Sequence, residues 1–332
     1  MKRILLIGTG GTIASEMTPE GLSPDLGPAQ LLRAVPAISS LCEVDCLNLF
    51  SIDSTNIAPA HYLRIAGALS EHYGHYDGFV ISHGTDTMAY TAAALSYLVR
   101  GAKKPIILTG AQKPIGFDST DSKINLSDAF VCACSEKIHG VNIVFSGRVI
   151  TGTRARKTCS KSYAAFSSIN YPDVATLQDG RLMVYIESGY EPVPLFSAAL
   201  DANVGLIKMI PGTDMELLDF LFSRRDALVM ECFGVGGLPS YSDEKLYELV
   251  RRYTEAGKFL VVTTQVQNEG SDLSVYRVGH RLKETPGVLE AYDMTTEAAL
   301  AKIMWILAET REPEEVAARF YTPVAHDMLY GG

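Results

Sequence analysis

Two loops rich in threonine and glycine carry the residue types best suited to chemistry on a small molecule. The first has the sequence Gly-Thr-Gly-Gly-Thr at residues 8–12, and the second has His-Gly-Thr-Asp-Thr at residues 83–87. Each follows an apolar run typical of a buried β-strand, at residues 4–7 and 79–82, and each is predicted to lead into a helix. Because ligands of open α/β sheets bind at the carboxyl ends of the strands, we expect both loops to face one pocket.

A glycine-rich turn after the first strand is also typical of nucleotide sites, but the residues present argue against one. A dinucleotide fingerprint needs a third glycine where this chain has Ile13, and a phosphate-binding P-loop needs a lysine that the first loop lacks. We therefore interpret the loop as the site of a nucleophile, Thr12, beside backbone N–H groups that stabilise an oxyanion. The alternative is that Thr12 only caps a helix.

A threonine hydroxyl is a weak nucleophile at neutral pH and needs a base or a proton relay. The second loop supplies a hydroxyl and a carboxylate, Thr85 and Asp86, and Lys157 lies in the basic run at residues 154–157. A lysine beside a carboxylate can carry a proton. The alternative for the basic run is an ordinary solvated surface.

A third polar segment, Asp53, Ser54 and Thr55, follows the predicted strand at residues 44–50. Such side chains suit a small zwitterion, because a carboxylate binds an ammonium group while hydroxyl and backbone N–H groups bind a carboxylate. The alternative is a turn stabilised by these side chains, leading into the helix that begins near Pro59.

The elements that must position these residues alternate between strand and helix patterns. The alternation predicts an α/β fold with a larger N-terminal domain, built on a doubly wound, mostly parallel sheet, and a smaller C-terminal α/β domain. Residues 189–203 contain Pro192 and Pro194 and show no clear period, so they are predicted to be the linker. The predicted domains are thus residues 1–188 and 204–332.

Composition narrows the class of partner. With 29 Lys and Arg against 38 Asp and Glu, the chain has a formal net charge of −9, which argues against nucleic acid or an anionic membrane as the main partner. No apolar stretch has the length of a membrane span. The six cysteines lack the spacing of a zinc site, so we expect no metal, reduced thiols and a cytoplasmic location.

Taken together, three features resemble the bacterial-type L-asparaginases, specifically the cytoplasmic type I group. They are Gly-Gly-Thr-Ile-Ala at residues 10–14, His-Gly-Thr-Asp-Thr-Met-Ala-Tyr at residues 83–90, and Lys157 after a strand. The likeness spans nearly the whole chain and continues through Gly-Val-Gly-Gly at 234–237, Thr-Gln at 264–265 and Asp-Met-Thr at 293–295.

The resemblance implies hydrolysis of the side-chain amide of L-asparagine, and sometimes of glutamine, to the acid and ammonia without a cofactor. It implies a homodimer or homotetramer. It assigns Thr12 as the nucleophile and Thr85, Asp86 and Lys157 as the second catalytic group. Substrate binding falls to Asp53, Ser54 and Thr55, together with Thr85 and Asp86.

The chain departs from the family pattern at two positions. The family usually places a tyrosine ten residues after the nucleophile, where this chain has Leu22, so we predict that Tyr292 supplies the phenol. The alternative for Tyr292 is a boundary aromatic with a hydrated hydroxyl. Val266 replaces a cysteine that belongs to an allosteric asparagine site in some relatives, so allosteric control is not implied. His83 is expected to fix its turn.

Two other functions fit parts of the sequence. The same fold serves as the amidase subunit of an archaeal tRNA-dependent amidotransferase, but that subunit has an added N-terminal domain, and the acidic charge disfavours tRNA. A non-catalytic amino-acid-binding protein would not need Thr12, Thr85, Asp86 and Lys157 together. An asparagine amidohydrolase is therefore the predicted function.

Overall fold

The computed structural model describes residues 1–19, 21–239 and 243–330, and the chain divides into two compact units. The first unit is Met1–Ala198 and the second is Ala199–Gly332. The boundary between them lies within the segment predicted as the linker.

The first unit contains a large sheet with helices packed against it. Its strands are β1 (Arg3–Gly10), β2 (Glu16–Thr18), β3 (Gly21–Ser23), β4 (Glu43–Ile52), β5 (Gly78–Ser82), β6 (Val99–Arg100), β7 (Pro105–Thr109), β8 (Gly140–Phe145), β9 (Arg148–Thr151), β10 (Ala155–Lys157), β11 (Phe166–Ser168), β12 (Ala175–Gln178), β13 (Arg181–Val184) and β14 (Leu195–Phe196). Its α-helices are α1 (Pro28–Arg33), α2 (Pro59–His72), α3 (Met88–Leu98) and α4 (Ser122–Ala133).

The main sheet of the first unit has eight strands in the order β13-β12-β9-β8-β7-β5-β1-β4. Strands β4, β1, β5, β7 and β8 are parallel, and the remaining three are added antiparallel. From β1 the chain passes to β4 on one side, and from β4 it crosses to β5 on the other side of β1. This arrangement creates a switch point at the carboxyl end of β1, where ligands of such sheets bind.

The central strands are buried along nearly their whole length because both faces of the sheet are covered. Every residue of β5 and β7 is buried, as are all residues of β1 after Arg3. Helix α3 is rich in alanine and buried on nearly all sides, so it packs closely against the sheet. A well-packed core thus supports the strand ends from which the loops emerge.

The second unit is smaller and has its own parallel sheet. The sheet contains β15 (Val204–Lys208), β16 (Ala227–Cys232), β17 (Phe259–Thr264) and β18 (Val288–Glu290), paired in that order. The helices are α5 (Met215–Arg224), α6 (Asp243–Glu255), α7 (Arg277–Lys283), α8 (Thr296–Leu307) and α9 (Pro313–Tyr321). The predicted fold class, a larger mostly parallel sheet domain followed by a smaller α/β domain, is confirmed.

One local prediction was wrong. The first loop does not lead into a helix: a single 3₁₀ turn, Thr12–Ala14, is followed by the hairpin of β2 and β3. Gly10 and Gly11 both have positive φ, at 97° and 80°, so the backbone turns sharply before any helix can begin. The second loop does lead into a helix, α3, as predicted.

Within the described residues, no helix combines the length and apolarity needed to cross a membrane.

Candidate active site

The two threonine loops contact each other through a pair of glycines. Strands β1 and β5 are neighbours, and the Thr9 hydroxyl donates to the Ser82 carbonyl at 2.8 Å. A Cβ on Gly11 would lie 2.3 Å from the backbone nitrogen of Gly84, closer than any real side chain allows. Glycine at residue 11 is therefore what lets the loops approach.

The third polar segment converges on the same point. The Gly11 N–H donates to the Ile52 carbonyl at 3.1 Å, and a Cβ on Gly84 would lie 2.5 Å from the Ser54 hydroxyl oxygen. The Thr87 hydroxyl donates to the Ser54 carbonyl at 2.8 Å. Three strand ends, those of β1, β4 and β5, thus meet in one cluster.

Asp53 and Thr55 form a turn within this cluster. The Asp53 Oδ1 atom accepts from both the backbone N–H and the hydroxyl of Thr55, each at 2.8 Å. Ser54 between them is buried, whereas Asp53 and Thr55 are exposed. The turn that the sequence offered as an alternative is therefore present, and it holds two polar side chains accessible to a ligand.

Thr12 does not cap a helix. It is the first residue of the 3₁₀ turn, Gly11 occupies the capping position, and no side-chain capping bond is made there. The Thr12 side chain is partly exposed, and among the described residues its hydroxyl has no hydrogen-bond partner. The capping alternative is wrong, and the hydroxyl is accessible to a substrate.

Lys157 joins the two polar residues of the second loop. Its Nζ atom donates to Thr85 Oγ1 and to Asp86 Oδ1, each at 2.7 Å. Thr85 is 5% exposed, while the side chains of Lys157 and Asp86 are 17% and 57% exposed. Residues 155–157 form β10, and Arg154 just before it is fully buried, so the alternative of a solvated surface does not hold for the basic run.

Gln112, which the sequence patterns did not single out, completes the contacts of Thr85. The Thr85 hydroxyl donates to Gln112 Oε1 at 3.2 Å, and Gln112 Nε2 donates to the Ser162 carbonyl at 3.1 Å. Gln112 follows β7, the neighbour of β5, by three residues. Applying the strand-end rule to β7 as well would have identified this position.

His83 is buried and uses both ring nitrogens within the first unit. Its Nδ1 bonds to the Gly84 carbonyl at 2.7 Å and its Nε2 to the Thr91 hydroxyl at 2.9 Å. Burial lowers the pKa of His83 to about 4, against a smaller opposing effect of the Gly84 bond, so the imidazole is neutral at pH 7. The ring therefore fixes the backbone of the second loop.

Tyr292 lies in the second unit and is 5% exposed. Its ring centre is 6.0 Å from that of Tyr321, 6.2 Å from that of Tyr330 and 5.2 Å from Lys283 Nζ. Burial disfavours the Lys283 ammonium, but side-chain hydrogen bonds to Tyr292 and Glu290 outweigh it and raise the pKa of Lys283. The Tyr292 ring is thus packed among two aromatic rings and the Lys283 ammonium.

Leu22, at the position usual for the loop tyrosine, lies on β3 with its backbone opposite Met17. Val266 follows Thr264 and Gln265 at the end of β17 and is half exposed. Across the described ranges, no cluster of three or more His, Cys, Asp or Glu side chains is arranged to hold a metal ion.

Two family models match the chain, one for each unit. The model described as "Asparaginase, N-terminal" matches residues 3–189, and "Glutaminase/Asparaginase C-terminal domain" matches residues 203–320.

Similar proteins of known structure and name agree with these matches. An L-asparaginase of Thermococcus kodakarensis is 39% identical over 95% of both chains. The solved structure of the thermostable L-asparaginase from that organism superposes with a TM-score of 0.91 at 36% identity. The superposition covers 99% of this chain and 100% of that one. L-asparaginase I of Vibrio cholerae gives a TM-score of 0.87 at 30% identity, with 99% of each chain covered. A glutamyl-tRNA(Gln) amidotransferase subunit of Pyrococcus abyssi is 32% identical over 99% of this chain and 77% of its own length. The chain therefore belongs to the asparaginase family and is an amidohydrolase.

Proposed function

We propose that this protein hydrolyses the side-chain amide of L-asparagine to L-aspartate and ammonia, with Thr12 as the nucleophile. The observation that carries the proposal is that the Lys157 ammonium bonds at 2.7 Å to both Thr85 and Asp86. The loop that carries Thr85 and Asp86 in turn contacts the loop of Thr12. The names of the Thermococcus and Vibrio relatives support the choice of asparagine.

Binding and reaction fall to different parts of the cluster. Asp53 binds the α-ammonium group of the substrate, and the α-carboxylate binds at the Ser54–Thr55 segment, where the Thr55 hydroxyl must leave Asp53 to donate to it. Thr12 Oγ1 attacks the amide carbon, and the oxyanion is stabilised by backbone N–H groups of the glycine-rich turn. The Thr85–Lys157 pair passes a proton to the amide nitrogen, so that the C–N bond breaks and ammonia leaves. Water then hydrolyses the ester formed with Thr12, which releases aspartate and restores the Thr12 hydroxyl. Direct attack by water is the other route, and a burst of ammonia ahead of aspartate distinguishes the two.

Activation of Thr12 needs a group that Leu22 cannot provide. We propose that the Tyr292 phenol serves this purpose. The Tyr292 ring is buried, and its centre lies 5.2 Å from the Lys283 ammonium nitrogen. Tyr292→Phe is expected to lower kcat at least about 100-fold, as for the loss of a general base. Unchanged turnover in Tyr292→Phe would remove this residue from the mechanism.

The experiment that tests the substrate is an ammonia assay on L-asparagine and L-glutamine side by side. Hydrolysis of asparagine supports the proposal, and some glutaminase activity is compatible with it, because one methylene group separates substrates by only about 1–3 kcal/mol. The Pyrococcus relative makes a subunit of an amidotransferase the second candidate. No ammonia from free asparagine, together with copurification of tRNA or of a partner protein, would favour that candidate instead.

We also propose a cytoplasmic homodimer or homotetramer with no nucleic-acid or membrane partner. Six free cysteines and the net charge of −9 support the location and the lack of polyanionic partners. The resemblance to the type I asparaginases, which implies a homodimer or homotetramer, supports self-association. Light scattering should give the mass of two or four chains, and a monomeric mass would contradict it.

A further inference from the structure

Gln112 has a fixed backbone. The Asp121 carboxylate, 6% exposed, accepts from the N–H of Gln112 at 3.1 and 2.9 Å and from the N–H of Lys113 at 3.1 Å. It also accepts from Asn125 Nδ2 at 3.1 Å, on the first turn of α4. Because these bonds tie the segment after β7 to a helix, the Gln112 side chain extends from a rigid base.

The Gln112 amide bridges two segments of the proposed site. Its Oε1 accepts from the Thr85 hydroxyl, and its Nε2 donates to the carbonyl of Ser162, on the loop between β10 and β11. Lys157 ends β10. An amide oxygen only accepts and an amide nitrogen only donates, so the two bonds together fix the orientation of the amide.

The donors and acceptors around Thr85 show that the Gln112 amide determines where the Thr85 hydroxyl proton points. A threonine hydroxyl has one proton, and an ammonium group can only donate. While Lys157 is charged and donates to Thr85, the Thr85 proton must therefore point elsewhere, and Gln112 Oε1 receives it. When Lys157 loses a proton, the hydroxyl can turn and donate to the amine instead.

We propose that Gln112 is a positioning residue that sets the direction of the Thr85 hydroxyl proton and, through it, the pH at which the Thr85–Lys157 pair can accept a proton. The inference rests on the proposed function, because it adds a residue to that relay.

The charge of Lys157 is affected first by Asp86, which is bonded to it. The other elements around Lys157 contribute few ionisable groups. Strand β11 has none. The ionisable groups on the neighbouring segments are Arg156 on β10, Tyr90 and Tyr97 on α3, Lys113 and Asp121 beside Gln112, and Cys159, Lys161 and Tyr163 on the loop between β10 and β11.

The test is the pH profile of kcat for asparagine in Gln112→Glu and Gln112→Leu. A carboxylate at residue 112 favours the Lys157 ammonium, so the acidic limb should move to higher pH by about one unit. Leucine removes the acceptor that the charged state requires, so the limb should move to lower pH by about half a unit. KM should stay within about threefold of the wild-type value while kcat falls, since Gln112 acts through Thr85.

A matched control separates the effect of Gln112 on Thr85 from a simple loosening of the hairpin formed by β10 and β11. The Tyr163 hydroxyl lies 3.5 Å from Ser119 Oγ and 3.4 Å from the Ser119 carbonyl, so it ties the same loop to the same neighbouring segment without contacting Thr85. Tyr163→Phe should leave the acidic limb in place. Limbs that move in the same direction in both Gln112 variants, or do not move, would overturn the proposal.

A second measurement keeps this inference separate from the proposed function. Wild-type protein that releases no ammonia from asparagine would contradict the function. Acylation of Lys157 by acetic anhydride, followed by mass spectrometry across pH, would then still report on Gln112. An inflection displaced upward in Gln112→Glu and downward in Gln112→Leu supports the inference, and identical inflections in the three proteins overturn it.

Discussion

The ionisable residues of this protein differ mainly in how exposed their side chains are to water and in how many charged or hydrogen-bonding partners they contact. The Lys157 ammonium keeps a carboxylate and a hydroxyl within 2.7 Å, so its charge is compensated although the side chain is largely covered. His83 has no charged partner among the described residues, and burial keeps it neutral at pH 7. Asp128, on α4, is also buried, and desolvation alone raises its pKa to about 6.

Asp128 predicts a measurable pH dependence of stability. Its folded-state pKa lies above the unfolded value of 3.8, so its contribution is fully favourable below about pH 4 and is lost as the pH rises through about 6. Asp128→Asn should therefore raise the free energy of unfolding at pH 8 by about 1 kcal/mol and not at pH 4. Urea titration at both pH values checks this. The exposed Asp118→Asn is the control, and an equal gain at both pH values in Asp128→Asn would contradict the account.

At the scale of elements, strand order and glycine position together build the cluster. The sequence was sufficient to predict that residues after β1, β4 and β5 lie at one sheet edge, because parallel strands end on the same side. The same rule applied to β7 also indicates Gln112, but not its partners, because Thr85 and Ser162 lie 27 and 50 residues away and meet it only once the loops have closed. The hairpin in place of the first predicted helix depends likewise on local backbone geometry at Gly10 and Gly11.

The contact between the loops predicts a strong effect for a small substitution. In Gly84→Ala, the added Cβ would lie 2.5 and 2.6 Å from the Oγ and Cβ of Ser54, so the loops must separate. Displacement of this order should lower kcat/KM at least about 100-fold. Gly116→Ala is the matched control, because a Cβ there meets no atom within 4 Å and should leave kcat/KM unchanged. Wild-type kcat/KM in Gly84→Ala would show that the loops need not be in contact.

At the scale of the whole chain, two family matches cover residues 3–189 and 203–320, and each unit has its own parallel sheet and core. The sequence predicted a linker at residues 189–203 because Pro192 and Pro194 interrupt a stretch with no clear period. The proposed catalytic residues are distributed unevenly: Thr12, Thr85, Asp86 and Lys157 all belong to the first unit, and Tyr292 alone belongs to the second.

The central claim is that Thr12 attacks the amide of asparagine, and ammonia release by Thr12→Ala and Thr12→Ser tests it most directly. Alanine should lower kcat by several orders of magnitude, as expected when one member of a catalytic unit is lost, with no loss of thermal stability. Serine keeps the hydroxyl and should retain measurable turnover. Wild-type turnover by a folded Thr12→Ala protein would contradict the account.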